Sequence, residues 1–152
     1  CAEAKVVFAG DLLFIGVTPL MWRGDMQAWV DALDEMLERT AVDAEDWHFV
    51  PGHGPVVARS GVQLVRDYWA WVKAKMATTC PGMAEAAAWN CTKSLLAELP
   101  DPYVQWHEKE RLLVSVFVEL CIQSRGGQKP QFVIKDKMKL FADVAMLHKA
   151  LS

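Results

Sequence analysis

Two side chains in this sequence sit where chemistry would place them, each beside glycine at the end of a short apolar run. The first is Asp11, in Phe8-Ala9-Gly10-Asp11-Leu12-Leu13-Phe14. A carboxylate at the junction of two buried apolar strands needs a strong partner, because burying it unpaired is costly. A metal ion, an arginine or a set of backbone N–H groups would each serve. A turn in which Asp11 bonds its own backbone needs none of these, and Gly10-Asp11 taken alone fits that turn better. The second is His53, in Val50-Pro51-Gly52-His53-Gly54-Pro55. Glycine admits φ > 0 and lets a ligand approach closely, while proline stiffens the loop. Such a frame suits an imidazole held as a metal ligand at the rim of a sheet, with aspartate supplying an anionic oxygen for Zn²⁺ or a harder ion. A turn whose histidine points at water fits this stretch equally well.

The elements that must position these groups follow from hydrophobic pattern. Val6 to Phe8, ending at Gly10, and Leu12 to Ile15, ending at Gly16, read as two buried strands. Asp25 then caps a helix in which Met26, Trp29, Val30, Leu33, Met36 and Leu37 recur at three- and four-residue intervals. A polar turn over Asp43 to Asp46 leads into a short strand, Trp47 to Val50, that Pro51 and Gly52 stop. From Ser60, a candidate N-cap, the pattern is helical, with a stripe of Val62, Val65, Tyr68, Trp69 and Val72 broken by Pro81 and Gly82. Further helices are expected over Met83 to Glu98, Glu108 to Gln123 and Lys135 to Leu151; the last carries Leu140, Phe141, Val144 and Leu147 on one face. The layout is α/β over residues 1–58 and an α-helical tail over 59–152.

Composition narrows the classes. The 152 residues are 53% hydrophobic and 23% charged, the balance of a globular protein with its own core. A net charge of −3 with mixed signs and no basic stripe argues against nucleic acid as a partner. No apolar run reaches the roughly 20 residues that cross a bilayer. The longest, Leu112 to Ile122, is interrupted by Ser115 and Glu119. No basic segment precedes an apolar one at the N-terminus, so no signal peptide is read. Cys1-Ala2 resembles a processed lipoprotein terminus, but the strand expected from Lys5 leaves no tether, and a start within a gene or domain is the favoured expectation. Cys1, Cys80, Cys91 and Cys121 lack the spacing of a disulfide framework or a zinc knuckle. Reduced thiols and a cytoplasmic location are expected.

The remaining candidates are weaker. His48 lies in a strand and is read as a non-ligand, His107 as a capping or surface residue at a helix start, and His148 as a cation near a helix C-terminus. Trp29, Trp69 and Trp106 fall in apolar patterns and are read as core. No glycine-rich phosphate loop is present, and no serine lies in a Gly-x-Ser-x-Gly setting.

Together the two motifs say more than either. Gly-Asp after one apolar strand precedes Gly-His-Gly after another by 42 residues, with one amphipathic helix between. This order resembles the last two ligand motifs of the metallo-β-lactamase superfamily of metal-dependent hydrolases, an αββα sandwich. Ala9 to Phe14 with Pro19, Trp22 and Trp29 to Leu37 extends the resemblance, as do Arg66-Asp67-Tyr68 and Pro102 to Leu112 in the tail, which resemble the helical extension of the general hydrolase subgroup. The resemblance implies that 1–58 is the C-terminal part of such a sandwich and 59–152 its helical extension. It further implies that Asp11 bridges two Zn²⁺ ions and that His53 completes the second site. The reaction implied is hydroxide attack on a thioester, lactam or lactone-type carbonyl of a small-molecule substrate.

The family's first motif, His-x-His-x-Asp-His, is missing, as is an intervening ligand histidine before Asp11. A catalytic zinc keeps three protein ligands and an open position, so two ligands imply weak or absent metal binding and no turnover by this chain alone. The expected partner is therefore the missing N-terminal half or a second copy. A non-catalytic helical interaction module is the alternative, and a structural one-metal site would need a further ligand such as His48.

Overall fold

The computed structural model describes residues 3–22, 25–82, 84, 87–124, 126, 139, 142–147 and 149. It is a mixed α/β protein, mostly helical, with two parallel strands among the described residues. Strand β1 (Val6–Phe14) leads into helix α1 (Met26–Arg39), which returns the chain to β2 (His48–His53). Helices α2 (Arg59–Thr79), α3 (Ala88–Ala97) and α4 (Arg111–Ser124) follow, and residues 142–147 are again helical.

The β1–α1–β2 unit explains how groups far apart in sequence become neighbours. Parallel strands need a crossover, and the amphipathic α1 supplies one. Asp25 caps it, its carboxylate accepting the Ala28 N–H at 2.7 Å. Met26, Val30, Leu33 and Leu37 are buried, three or four residues apart as the periodicity requires. Arg66 of α2 grips Asp34 of α1 through two nitrogens, Nε at 2.8 Å and Nη2 at 3.2 Å.

β1 differs from expectation. Two strands divided at Gly10 are expected, and one strand runs through it. The pairing is Val6 with His48, Val7 with Phe49 and Phe8 with Val50, then Gly10 with Pro51 and Phe14 with His53. Asp11, Leu12 and Leu13 therefore stand against Gly52 alone, so β1 bulges. Gly10 takes φ 54°, which a β-branched residue could not hold without strain. Pro51 does not stop β2 either, because its missing N–H falls where the ladder is already irregular.

The helix starts differ from expectation, earlier for α2 and later for α3 and α4. Ala58, not Ser60, is the N-cap of α2, and no side chain caps it. α3 begins at Ala88 and α4 at Arg111. Leu140, Phe141 and His148 lie outside the described residues, while Leu147 is buried and Val144 packs on the core. One cluster of buried side chains joins the two stretches of the chain: Leu13, Met21 and Phe49 with Val65, Trp69 and Leu112. Trp69 and Trp106 are core, as expected, and Trp29 is partly buried against the core, its ring on Trp69.

The cysteines require a correction. Cys80, the C-cap of α2, and Cys91 of α3 form a disulfide, their Cα atoms 5.7 Å apart, where reduced thiols are expected. The Pro81-Gly82 break turns the chain back and brings the two helices together at this point, a closeness that spacing alone does not reveal. Cys121 is buried in α4. Among the described residues no helix is long and apolar enough to cross a membrane.

Candidate metal site at the strand ends

Asp11 and His53, 42 residues apart in the chain, meet at the same end of the paired strands. Asp11 Oδ1 lies 3.7 Å from His53 Nε2. The expectation of a buried carboxylate is wrong: the Asp11 side chain is 78% exposed, because the bulge carries it out of the sheet. The imidazole is 45% exposed, so the pair faces solvent. An exposed carboxylate does not need the strong partner that burial would demand, and that argument for a metal falls away.

The ring of His53 is held by its neighbours. It stacks on Phe14, with centroids 4.5 Å apart and planes 12° from parallel. Its carbonyl accepts the Ile15 N–H at 2.9 Å. Phe14 in turn packs against Trp29, and Trp29 against Trp69, so the imidazole ends a row of aromatic rings leading into the core.

Two glycines make the arrangement sterically feasible. A Cβ on Gly52 would lie 2.1 Å from Asp11 Oδ1 and 2.9 Å from the Gly10 carbonyl carbon. Gly54 has φ 95°, and a Cβ there would meet the Ile15 carbonyl oxygen at 2.3 Å. The glycines flanking His53 thus let β1 arch directly over β2. The sequence pattern singles them out, but not the strand that they admit.

The oxygen and nitrogen suit zinc, whose bonds to carboxylate and imidazole are about 2.0–2.2 Å and whose ligand atoms lie roughly 3.3 Å from one another. A separation of 3.7 Å is near that value, so Asp11 and His53 fit as two donors to one ion. Among the described residues no group of three or more His, Cys, Asp or Glu side chains could hold a metal. His48 begins the strand that His53 ends, about 16 Å away at a strand's usual rise, and its Nδ1 lies 3.0 Å from the Asp46 carbonyl oxygen. It supplies no third donor, which removes the one-metal reading built on it. His107 serves through its backbone: its N–H donates to the Gly16 carbonyl and its carbonyl accepts the Thr18 N–H.

Comparison with family models, with curated proteins and with solved structures finds no match to this chain.

Proposed function

We propose that this chain carries two ligands, Asp11 and His53, of a dinuclear zinc centre in a hydrolase resembling the metallo-β-lactamase superfamily. What supports the reading is one observation: the two motif residues, 42 positions apart, converge to 3.7 Å at the ends of adjacent parallel strands. Asp11 would be the ligand shared by the two ions, and His53 would complete the second site. Zinc, when bound, lowers the pKa of a coordinated water to about 7 and polarises a carbonyl oxygen. The chain's own part is to fix the donors: the Phe14 stack sets the plane of the imidazole, and Gly52 gives the carboxylate its seat over β2. A thioester, lactam or lactone of a small molecule is the proposed substrate class. The remaining ligands would come from further polypeptide, linked or separate.

A second reading, a non-catalytic interaction module, is favoured by the exposed sheet face. Val6, Phe8, His48 and Val50 share that face, opposite Val7 and Phe49, and Phe8 is 76% exposed.

The test is zinc uptake by the purified chain beside an Asp11→Ala, His53→Ala double variant. Saturable uptake, even weak, that the double substitution abolishes is expected. Uptake that survives the substitution overturns the assignment of these two ligands.

A further inference from the structure

The apolar run of α4 is interrupted by Ser115 and Glu119, one helical turn apart and both buried, at 0% and 6% exposure. Ser115 reaches out of the tail to the segment joining β1 to α1, and Glu119 to the first residue of α1. Ser115 Oγ accepts the Met21 N–H at 3.0 Å, and Glu119 Oε2 accepts the Met26 N–H at 3.1 Å. The other oxygen of Glu119 takes a long hydrogen bond, 3.4 Å, from Gln123 Nε2.

Met26 is the first residue of α1, so Glu119 serves one of the N–H groups a helix start leaves unpaired, while Asp25 serves another. A carboxylate accepting a buried N–H is a strong anchor. Trp29, in the same first turn, carries the register of α1 to the site. Its indole N–H donates to the Leu12 carbonyl at 3.0 Å, one residue from Asp11. Its ring packs on Phe14 at 6.3 Å, and Phe14 stacks on His53.

We infer that Glu119, seconded by Ser115, is a positioning residue for the Asp11–His53 pair, acting through Met26, Trp29 and Leu12 without touching either side chain. Its effect on metal binding rests on the hydrolase reading; its effect on the position of His53 does not.

The test follows two NMR signals in the full chain: the His53 ring protons, which the Phe14 ring current displaces, and the Trp29 indole N–H. Glu119→Ala is expected to move both and to speed exchange of the indole proton about tenfold, the effect of losing one charge-assisted hydrogen bond. Glu119→Gln keeps an oxygen acceptor and should restore both signals. Ser115→Ala should shift them in the same direction but less. Val116→Ala, also fully buried in α4, lowers stability through packing and should leave them in place. Unmoved signals in Glu119→Ala, or equal movement in Val116→Ala, overturn the inference. If Glu119→Ala does not fold, unmoved signals in Ser115→Ala overturn it. A zinc titration beside these spectra separates the two ideas. Zinc uptake that survives in the Asp11→Ala, His53→Ala double variant, with His53 moved in Glu119→Ala, sinks the hydrolase reading alone. Normal uptake with His53 unmoved sinks the positioning role alone.

Discussion

Gly52→Ala is the substitution that asks most directly whether the arch of β1 sets the candidate site. The added carbon would stand 2.1 Å from Asp11 Oδ1, 2.9 Å from the Gly10 carbonyl carbon and 3.0 Å from the Asp11 nitrogen. Non-bonded contacts to carbon settle near 3.5 Å, so the carboxylate oxygen must retreat by more than about 1 Å. The carboxylate alone could swing away, being largely exposed. The backbone contacts do not yield so easily, and β1 must lift from β2 by about half an ångström. Metal–ligand distances tolerate shifts of about 0.2 Å, so an Asp11 moved this far no longer shares an ion with His53.

The expected result is a 10- to 100-fold weaker zinc dissociation constant, roughly the range for a lost supporting contact. Crowding at 52 should also lower stability by about 1–3 kcal/mol. The assay is a zinc titration followed on the His53 ring protons, which reads weak binding well, with thermal unfolding beside it. Wild-type affinity in Gly52→Ala, with the Asp11 and His53 signals in place, would refute the idea that the bare glycine seats the carboxylate.

Reducing Cys80–Cys91 should lower stability by about 2–3 kcal/mol, given the short loop that it closes. Both cysteines are buried, so an added dithiol should reduce the bond only as the chain unfolds, and an unchanged melting curve after complete reduction would contradict the expectation. The Lys5 ammonium, through its hydrogen bond and its charge, holds the Asp46 carboxyl below its ordinary 3.8. That contribution is whole above the ordinary value and is lost as pH falls through the lower folded one, so Asp46→Asn should flatten the acid limb of melting temperature against pH; parallel limbs would count against it. The Tyr68 hydroxyl is buried with no hydrogen-bond partner among the described residues, and burial pushes its pKa far above the usual 10. Tyr68→Phe should therefore be neutral or stabilising by about 1 kcal/mol in thermal unfolding, and a clear loss would show that the hydroxyl is satisfied.

The meeting of Asp11 with His53 was legible because its causes are local. Glycine-bounded apolar runs mark strands, the periodicity from Met26 to Leu37 marks the helix between them, and a helix between two strands makes them parallel neighbours. What the pattern does not carry is register. The extra residues of β1 opposite Gly52 decide that Asp11 is exposed, and nothing in Gly-Asp distinguishes a bulge from a strand break. The disulfide is not legible for a similar reason: Pro81-Gly82 marks a break but not the direction in which the next helix leaves. Ser115 and Glu119 were visible only as flaws in an apolar run. Their partners, Met21 and Met26, are more than 90 residues away in sequence and become neighbours only when α4 packs.

Asp11 and His53 stand close to each other while exposed. An aspartate and a histidine on open strand ends have side-chain freedom to lose, and their charge and hydrogen-bonding capacity are already met by water. Proximity at 3.7 Å therefore has to be imposed by what lies behind the residues: the Phe14–Trp29–Trp69 row, the glycine seat and the anchoring of α1 by the tail. Each of these restrains the backbone rather than the donor atoms, which leaves the solvent side of the pair open. On the hydrolase reading, a third donor would approach from that open side, on an element that the described residues do not provide. The two-stranded sheet offers such an element a natural seat, since the face bearing Phe8 is apolar and exposed next to the bulge that presents Asp11. A partner that covered Phe8 would bring its own side chains to the rim where Asp11 and His53 already wait, so metal affinity and burial of Phe8 should rise together.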